Sequence, residues 1–131
     1  MRNLIKVKSK QREEMIDITP DVERSIPDNS SGVCVVFVQH TTCGMTVNEN
    51  ADPDVQTDMM GFLRRLIPQH TPEFRHGEQN SDAHIKSSLV GTSVTIPFED
   101  GRLALGCWQG VYLCEFDGPR ERKVVVQVMG G

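Results

Sequence analysis

The chain predicts an α+β fold, with strands at both ends and helices between them. Three observations carry this. The first is the alternation of Ile5 and Val7 against Lys6 and Lys8 near the start. The second is an Asp52-Pro53 helix start followed by apolar residues at helical spacing. The third is a last forty residues built of β-branched runs separated by acidic-glycine turns.

Leu4 to Ser9 alternates and reads as a strand. A polar turn from Lys10 to Glu13 leads to a second strand, Glu14 to Ile18. Thr19 then reads as a helix N-cap, with Pro20 at the first helical position and Asp21 and Glu23 in the first turn. Val22 and Ile26 give that short helix its apolar stripe, and Pro27 ends it. Gly32 to Gln39 is nearly continuously apolar, which predicts a strand buried on both faces. Met45 to Asn48 reads as a short strand or an extended loop.

Asp52 caps the next helix, which Val55, Met59, Phe62, Leu63 and Leu66 stripe and Pro68 stops. Asn80 or Ser81 caps a third helix, with Ile85 and Leu89 on one face, His84 in the first turn and Gly91 as its stop. The remainder reads as an antiparallel meander. Its strands are Thr92 to Phe98, Arg102 to Cys107, Trp108 to Phe116 and Lys123 to Met129. Glu99-Asp100-Gly101 and Asp117-Gly118-Pro119 supply turns, and a bend is expected near Gly106.

At 131 residues the chain reads as one domain, residues 1–131. The formal net charge is −4 and no stretch is strongly basic, which argues against nucleic acid as a partner. No apolar run approaches the roughly 20 residues that span a bilayer. The first fifteen residues lack an apolar signal-peptide core, so no membrane and a cytoplasmic location are expected. Of four cysteines, Cys34, Cys107 and Cys114 fall in strand-like runs and read as small buried apolar residues. Cys43 lies three residues from His40 and is a candidate to line a site.

All four histidines fall between residues 40 and 84, at His40, His70, His76 and His84. Imidazole binds metals and exchanges protons near neutral pH, so this gathering points to a polar pocket. His40 follows the buried strand, where a loop on a rigid scaffold commonly carries function. Glu49 and Asn50 stand in a dense polar run, where a carboxylate can orient an imidazole or hold a cation. Asp52 is assigned to capping and Asp58 to solvent. His76 and His84, eight residues apart, match no compact metal motif. Together with His40 they make a three-imidazole set of the kind that leaves an open metal position. His70, between Pro68 and Pro72, is assigned to a surface loop. Trp108 and Gln109 lie beside Gly106 and Gly110, which permit close approach of a backbone or a flat ligand. Arg120 and Arg122 flank the last turn, and a guanidinium fork suits phosphate or carboxylate.

Four runs, HTTCGMTVNENADPDV, FRHGEQNSDAHIKSSLVG, IPFEDGRLALGCWQG and EFDGPRERKVVVQV, resemble the YjbQ family of small proteins, from about His40 to the C-terminus. The family's histidine after the buried strand is matched by His40, and its Asn-Glu-Asn segment by Asn48, Glu49 and Asn50. Its helix aspartate falls on Asp58, its further histidines on His76 and His84, and its asparagine between them on Asn80. Its Gly-Thr-Trp-Gln signature is matched by Gly106, Trp108 and Gln109, and its arginine pair by Arg120 and Arg122. Cys107 replaces the signature threonine, Phe74 a common tyrosine and Cys43 a small residue.

The resemblance implies packed antiparallel sheets, a homotrimer with sites between subunits, and a secondary thiamine-phosphate synthase activity in some members. It also implies divalent metal ions, Zn or Mg, at the histidines in some. The expected reaction joins a pyrimidine-methyl diphosphate to a thiazole phosphate. In that reading His40, Glu49 and His84 are catalytic. Asn50, Asn80, Trp108, Gln109, Arg120 and Arg122 bind substrate, and His40, His76 and His84 take a metal. One alternative is a metal-dependent enzyme acting on another small phosphorylated or carboxylated metabolite. Another is a non-catalytic module that binds a metal or metabolite.

Overall fold

A computed structural model describes residues 1–130. Eight strands and three helices run in the order β1 (Arg2–Lys8), β2 (Glu14–Asp17), α1 (Thr19–Glu23), β3 (Gly32–Val38), β4 (Cys43–Glu49), α2 (Pro53–Leu66), α3 (Ser81–Val90), β5 (Ser93–Glu99), β6 (Arg102–Leu103), β7 (Gln109–Glu115) and β8 (Glu121–Gly130). They form a five-stranded sheet, β1-β8-β3-β5-β6, and a three-stranded sheet, β2-β7-β4. Every pairing is antiparallel. The α+β fold with antiparallel sheets is therefore as the sequence predicts. Among the described residues no helix is long and apolar enough to cross a membrane.

The main core lies between the sheets. Val36, Val124 and Val126 of the first sheet meet Met45, Val111 and Leu113 of the second, with Val22 of α1 closing one side. Behind the second sheet a smaller cluster joins Cys114 and Phe116 to Met60 of α2 and Ala83 of α3. The molecule is thus layered as sheet, sheet, helices, and β7 is the strand with both faces covered.

That layering changes several expectations. β3 is buried on one face only. Cys34, Val36 and Val38 point inward, while Phe37 is 41% exposed, because nothing among the described residues covers the outer face of the larger sheet there. The C-terminal strands are antiparallel but do not form a meander. β5 and β6 make a hairpin through Asp100 and Gly101, both at positive φ (51° and 77°), as the acidic-glycine turn predicts. The chain then crosses over, so that β7 sits centrally in the smaller sheet and β8 returns between β1 and β3. Cys107 lies in that crossing and is exposed rather than buried.

The helices also differ in phase. Thr19 is the first residue of α1, not its cap. Its hydroxyl donates to Asp17 Oδ1 (2.6 Å) and accepts the Val111 N–H (2.8 Å), pinning the helix to β7. Asp52 does cap α2, accepting the Asp54 N–H at 2.9 Å. The face that α2 buries holds Met60, with Ile67 just past its end, and leaves Phe62 and Leu66 exposed. In α3 the inversion is sharper. Ile85 and Leu89 face solvent, and the buried face is Asp82, Ala83, Lys86 and Ser87.

Buried charge is tolerated there because it is fully paired. Lys86 Nζ reaches Asp82 and Glu13 at 2.8 Å each. Arg12 forks onto both Asp82 oxygens (3.2 and 3.0 Å), and Arg64 of α2 adds to Glu13 at 2.9 Å. The set bolts α3 and α2 to the β1–β2 turn. Burial works against the charged carboxylates, but hydrogen bonds from Lys86, Arg12 and Arg64 outweigh it and hold Glu13 and Asp82 below the usual range.

Lys86→Ala is expected to destabilise the fold by about 3 kcal/mol in urea unfolding, since it removes the buried cation that Asp82 and Glu13 share and leaves each with a single arginine. Leu89→Ala should cost well under that. Because Glu13 and Asp82 are depressed in the folded state, their contribution is present above the ordinary carboxylate range near pH 4 and disappears as acid titrates them. Equal losses for the two variants would contradict the polar inner face of α3.

Candidate functional site

Four segments converge on one polar cavity of about 500 Å³. The loop after β3 brings His40, Thr41 and Thr42. The segment before α3 brings His76, Glu78 and Asn80, and α3 itself brings His84. The turn between β7 and β8 brings Asp117 and Arg120, with Arg122 at the start of β8. His76 and His84 meet edge to face, ring centroids 5.6 Å apart at 81°. The cavity therefore gathers the three histidines that the sequence singles out. His70 lies outside it, exposed in a neighbouring surface hollow.

Several polar groups in the cavity are held by partners. His40 Nε2 accepts the Lys123 backbone N–H at 2.7 Å. An imidazole accepting at Nε2 is neutral with its proton on Nδ1. Burial, and then the nearby Arg122, push its pKa below the ordinary value of 6.5. Asn80 is only 5% exposed, and its Nδ2 donates to Asp117 Oδ2 at 2.7 Å while its Oδ1 has no partner. Arg120 donates to Asp117 at its carbonyl (2.8 Å) and its Oδ2 (3.0 Å).

Arg122 is not a free substrate cation. It is buried against Glu115, with Nε to Oε1 at 2.8 Å and a second, close bond from Nη2 to Oε2. Nη2 also reaches Thr42 Oγ1 at 2.8 Å. Its charge is neutralised beneath the cavity, and it shapes the floor without projecting a free guanidinium. Cys43 lies beside this pair, fully buried, and burial pushes its thiol up to about 11. It is protonated at neutral pH and does not line the cavity as a nucleophile.

His40 already uses Nε2, and among the described residues no three His, Cys, Asp or Glu side chains are grouped to hold a metal ion. The three imidazoles share a cavity without converging as ligands.

Four further candidates lie elsewhere. Glu49, Asn50, Trp108 and Gln109 sit at the far end of the β4–β7 pair, on the order of 20 Å along β4 from the histidine end. There they hold a loop together. Asn50 Nδ2 donates to the Gln109 carbonyl (3.1 Å), and the Asn50 N–H to the Trp108 carbonyl (2.9 Å). Gln109 Oε1 accepts the Gly106 N–H at 2.8 Å, and Glu49 Oε2 the Ala51 N–H at 2.9 Å. Gly110 is required by close approach, since a Cβ there would lie 2.9 Å from the Asn50 Cβ. Trp108 is 63% exposed rather than a core residue. In a single chain Glu49 therefore does not orient any of the three histidines.

Residues that the sequence reading passed over include Thr42, Asp117 and Glu115. Glu115 was detectable: a lone carboxylate between Cys114 and Phe116 in an apolar strand requires a buried partner.

Fold and cavity together define a small α+β protein with a polar, histidine-lined pocket at the end of its sheets. A family model described as UPF0047 protein YjbQ-like matches residues 3–131. The chain belongs to the YjbQ/UPF0047 family. It is 51% identical over 126 residues to UPF0047 protein MJ1081 of Methanocaldococcus jannaschii, covering 95% of this chain and 91% of that one. It is 46% identical over 132 residues to UPF0047 protein YugU of Bacillus subtilis, covering 99% and 100%. Among solved structures, an uncharacterized conserved YjbQ/UPF0047 protein from Clostridium acetobutylicum superposes with a TM-score of 0.93 at 46% identity, covering 97% and 99%.

His40 is expected to show the Nδ1–H tautomer by ¹⁵N NMR, with a pKa below 6.5. As pH falls through that lowered value, protonation breaks the bond from the Lys123 N–H. That amide should therefore shift in step with His40. An Nε2–H tautomer at neutral pH would contradict the arrangement.

Proposed function

We propose that the protein is an enzyme acting on a small anionic metabolite at the His40–His76–His84 cavity, with thiamine-phosphate synthesis as a weak, secondary reaction. The observation that carries this is the convergence of three imidazoles, Arg120 and Asn80 on one cavity of about 500 Å³. Such a volume suits a phosphorylated metabolite, and pockets of this size with a few placed polar groups are the usual form of small-molecule sites.

In the synthase reading the thiazole nitrogen attacks the methylene carbon of the pyrimidine diphosphate. A C–N bond forms, the C–O bond breaks, and diphosphate departs with the electron pair. His84 serves as general acid to the departing oxygen. His40, neutral with its proton on Nδ1, donates a hydrogen bond to a substrate oxygen, and Arg120 meets phosphate. Mg²⁺ in this reading arrives with the diphosphate; no resident metal is invoked. The weakness of the reaction follows from charge: both cavity arginines already have acidic partners, Asp117 and Glu115.

A homotrimer is part of this proposal. It is supported by the uncovered outer face of the larger sheet, where Leu4, Val33, Phe37 and Met129 are exposed together. Assembly also offers a role to Trp108 and Gln109, which lie at the opposite end from the cavity of their own chain.

Purified protein given both thiamine half-substrates is expected to release diphosphate slowly. His84→Ala should lower kcat about 100-fold or more while keeping the thermal midpoint. Product formed equally by both proteins, or by neither, would overturn the synthase reading. Light scattering should give three times the 14.7 kDa chain mass, falling when Phe37→Lys charges the sheet face. A monomeric wild type would overturn the trimer.

A further inference from the structure

His40, Thr41 and His84 line two chambers, not one. They also line a second space of about 260 Å³, completed by Ser87, Ser88 and Thr92. All six lining side chains are hydroxyls or imidazoles; none carries a fixed charge. The main cavity, by contrast, contains Glu78, Asp117, Arg120 and Arg122. His40 and His84 therefore line both a charged space and an uncharged one.

Helix α3 reaches into both. Asn80, His84 and Ser87 are spaced four and three residues apart, which puts them on one helical stripe about 10 Å long. The two ends of that stripe are the buried polar atoms without partners: Asn80 Oδ1 at the charged chamber and Ser87 Oγ at the uncharged one. Ser87 is 3% exposed. Buried polar atoms nearly always have partners, and an unmet pair on either side of a histidine calls for an explanation. The neighbouring Ser88 hydroxyl, which donates to the His84 carbonyl at 2.9 Å, is by comparison satisfied.

We propose that the chamber at Ser87 is a second binding subsite, for an uncharged hydroxyl-bearing group, so that the site is bipartite with His40 and His84 between its halves. Resting on the reading of the main cavity as an anion-binding active site, the inference specifies the substrate class. One half is anionic and meets Arg120 and Asn80. The other is neutral and offers Ser87 a hydrogen-bond partner. Such a division suits transfer between two bound groups, with the imidazoles positioned to serve both.

The test is amide NMR of the labelled full chain, titrated with glycerol, with inorganic phosphate, and with both. Glycerol is expected to give saturable shifts at Ser87, Ser88 and Thr92, and phosphate at His76, Asn80 and Arg120, each undiminished by the other. Ser87→Ala should weaken glycerol about fivefold, the loss of one net hydrogen bond, and leave phosphate within twofold. Thr92→Trp, at the exposed rim where the fold is least at risk, should abolish the glycerol response alone. Mutual exclusion of the probes, a non-saturable glycerol response, or indifference to both substitutions would overturn the second subsite. Silence toward phosphate with glycerol still saturating would support the subsite and overturn the anionic-substrate reading instead.

Discussion

The ion pair between Glu115 and Arg122 is the constraint on which the site depends. It joins β7 of the smaller sheet to β8 of the larger one, with both side chains buried. Charges taken out of water in this way need close, hydrogen-bonded partners. Here Ser9 Oγ donates to Glu115 at 2.7 Å, the Asp117 N–H donates to it at 3.0 Å, and Thr42 Oγ1 accepts from Arg122 Nη2 at 2.8 Å. Two of those partners, Thr42 and Asp117, belong to segments that line the cavity. Thr42 anchors the loop that presents His40, and Asp117 opens the turn that holds Asn80 and Arg120. The pocket is therefore positioned by a hydrogen-bonded charge pair at the edge of the intersheet core, not by apolar packing beneath it.

A second buried charge set orients α3. Helices usually turn an apolar stripe inward. α3 instead buries Asp82, Lys86 and Ser87, and its rotation is set by Glu13 and Arg12 from a distant turn. That rotation turns Asn80, His84 and Ser87 toward the chambers and leaves Ile85 and Leu89 outside. Structure and site share one cause: had the apolar pair been buried, the histidine would have rotated away from His40.

The elements themselves were largely legible, because period-two alternation, Asp-Pro caps and acidic-glycine turns act locally. β1, β3, α2 and the β5–β6 hairpin all follow from such signals. Sheet membership was not legible. Nothing in residues 92–130 marks that the chain leaves one sheet at Leu103 and enters another at Gln109. Helix phase failed for the same reason, since the partners of Lys86 and Asp82 lie some seventy residues away. Of the candidate site, the histidines and Asn80 were visible as a polar gathering. Glu49 and Asn50 stand out as a polar run and Trp108 and Gln109 by their flanking glycines, but within one chain all four occupy the other end of the sheet.

The same geometry limits what chemistry the cavity supports. A diphosphate leaving group needs concentrated positive charge, supplied by free cations or a metal. This cavity has two arginines, each matched to a carboxylate, and one histidine held neutral by burial and by the Lys123 N–H. What it offers a substrate is oriented hydrogen bonding: an Nδ1 donor, an amide locked by Asp117, and two imidazoles in edge contact. Such groups are suited to moving protons between substrates whose charge is modest or partly neutralised before binding. In the proposed reading, that balance of charge is the reason to expect slow turnover of two phosphorylated substrates and better turnover of a substrate that is anionic at one end and neutral at the other.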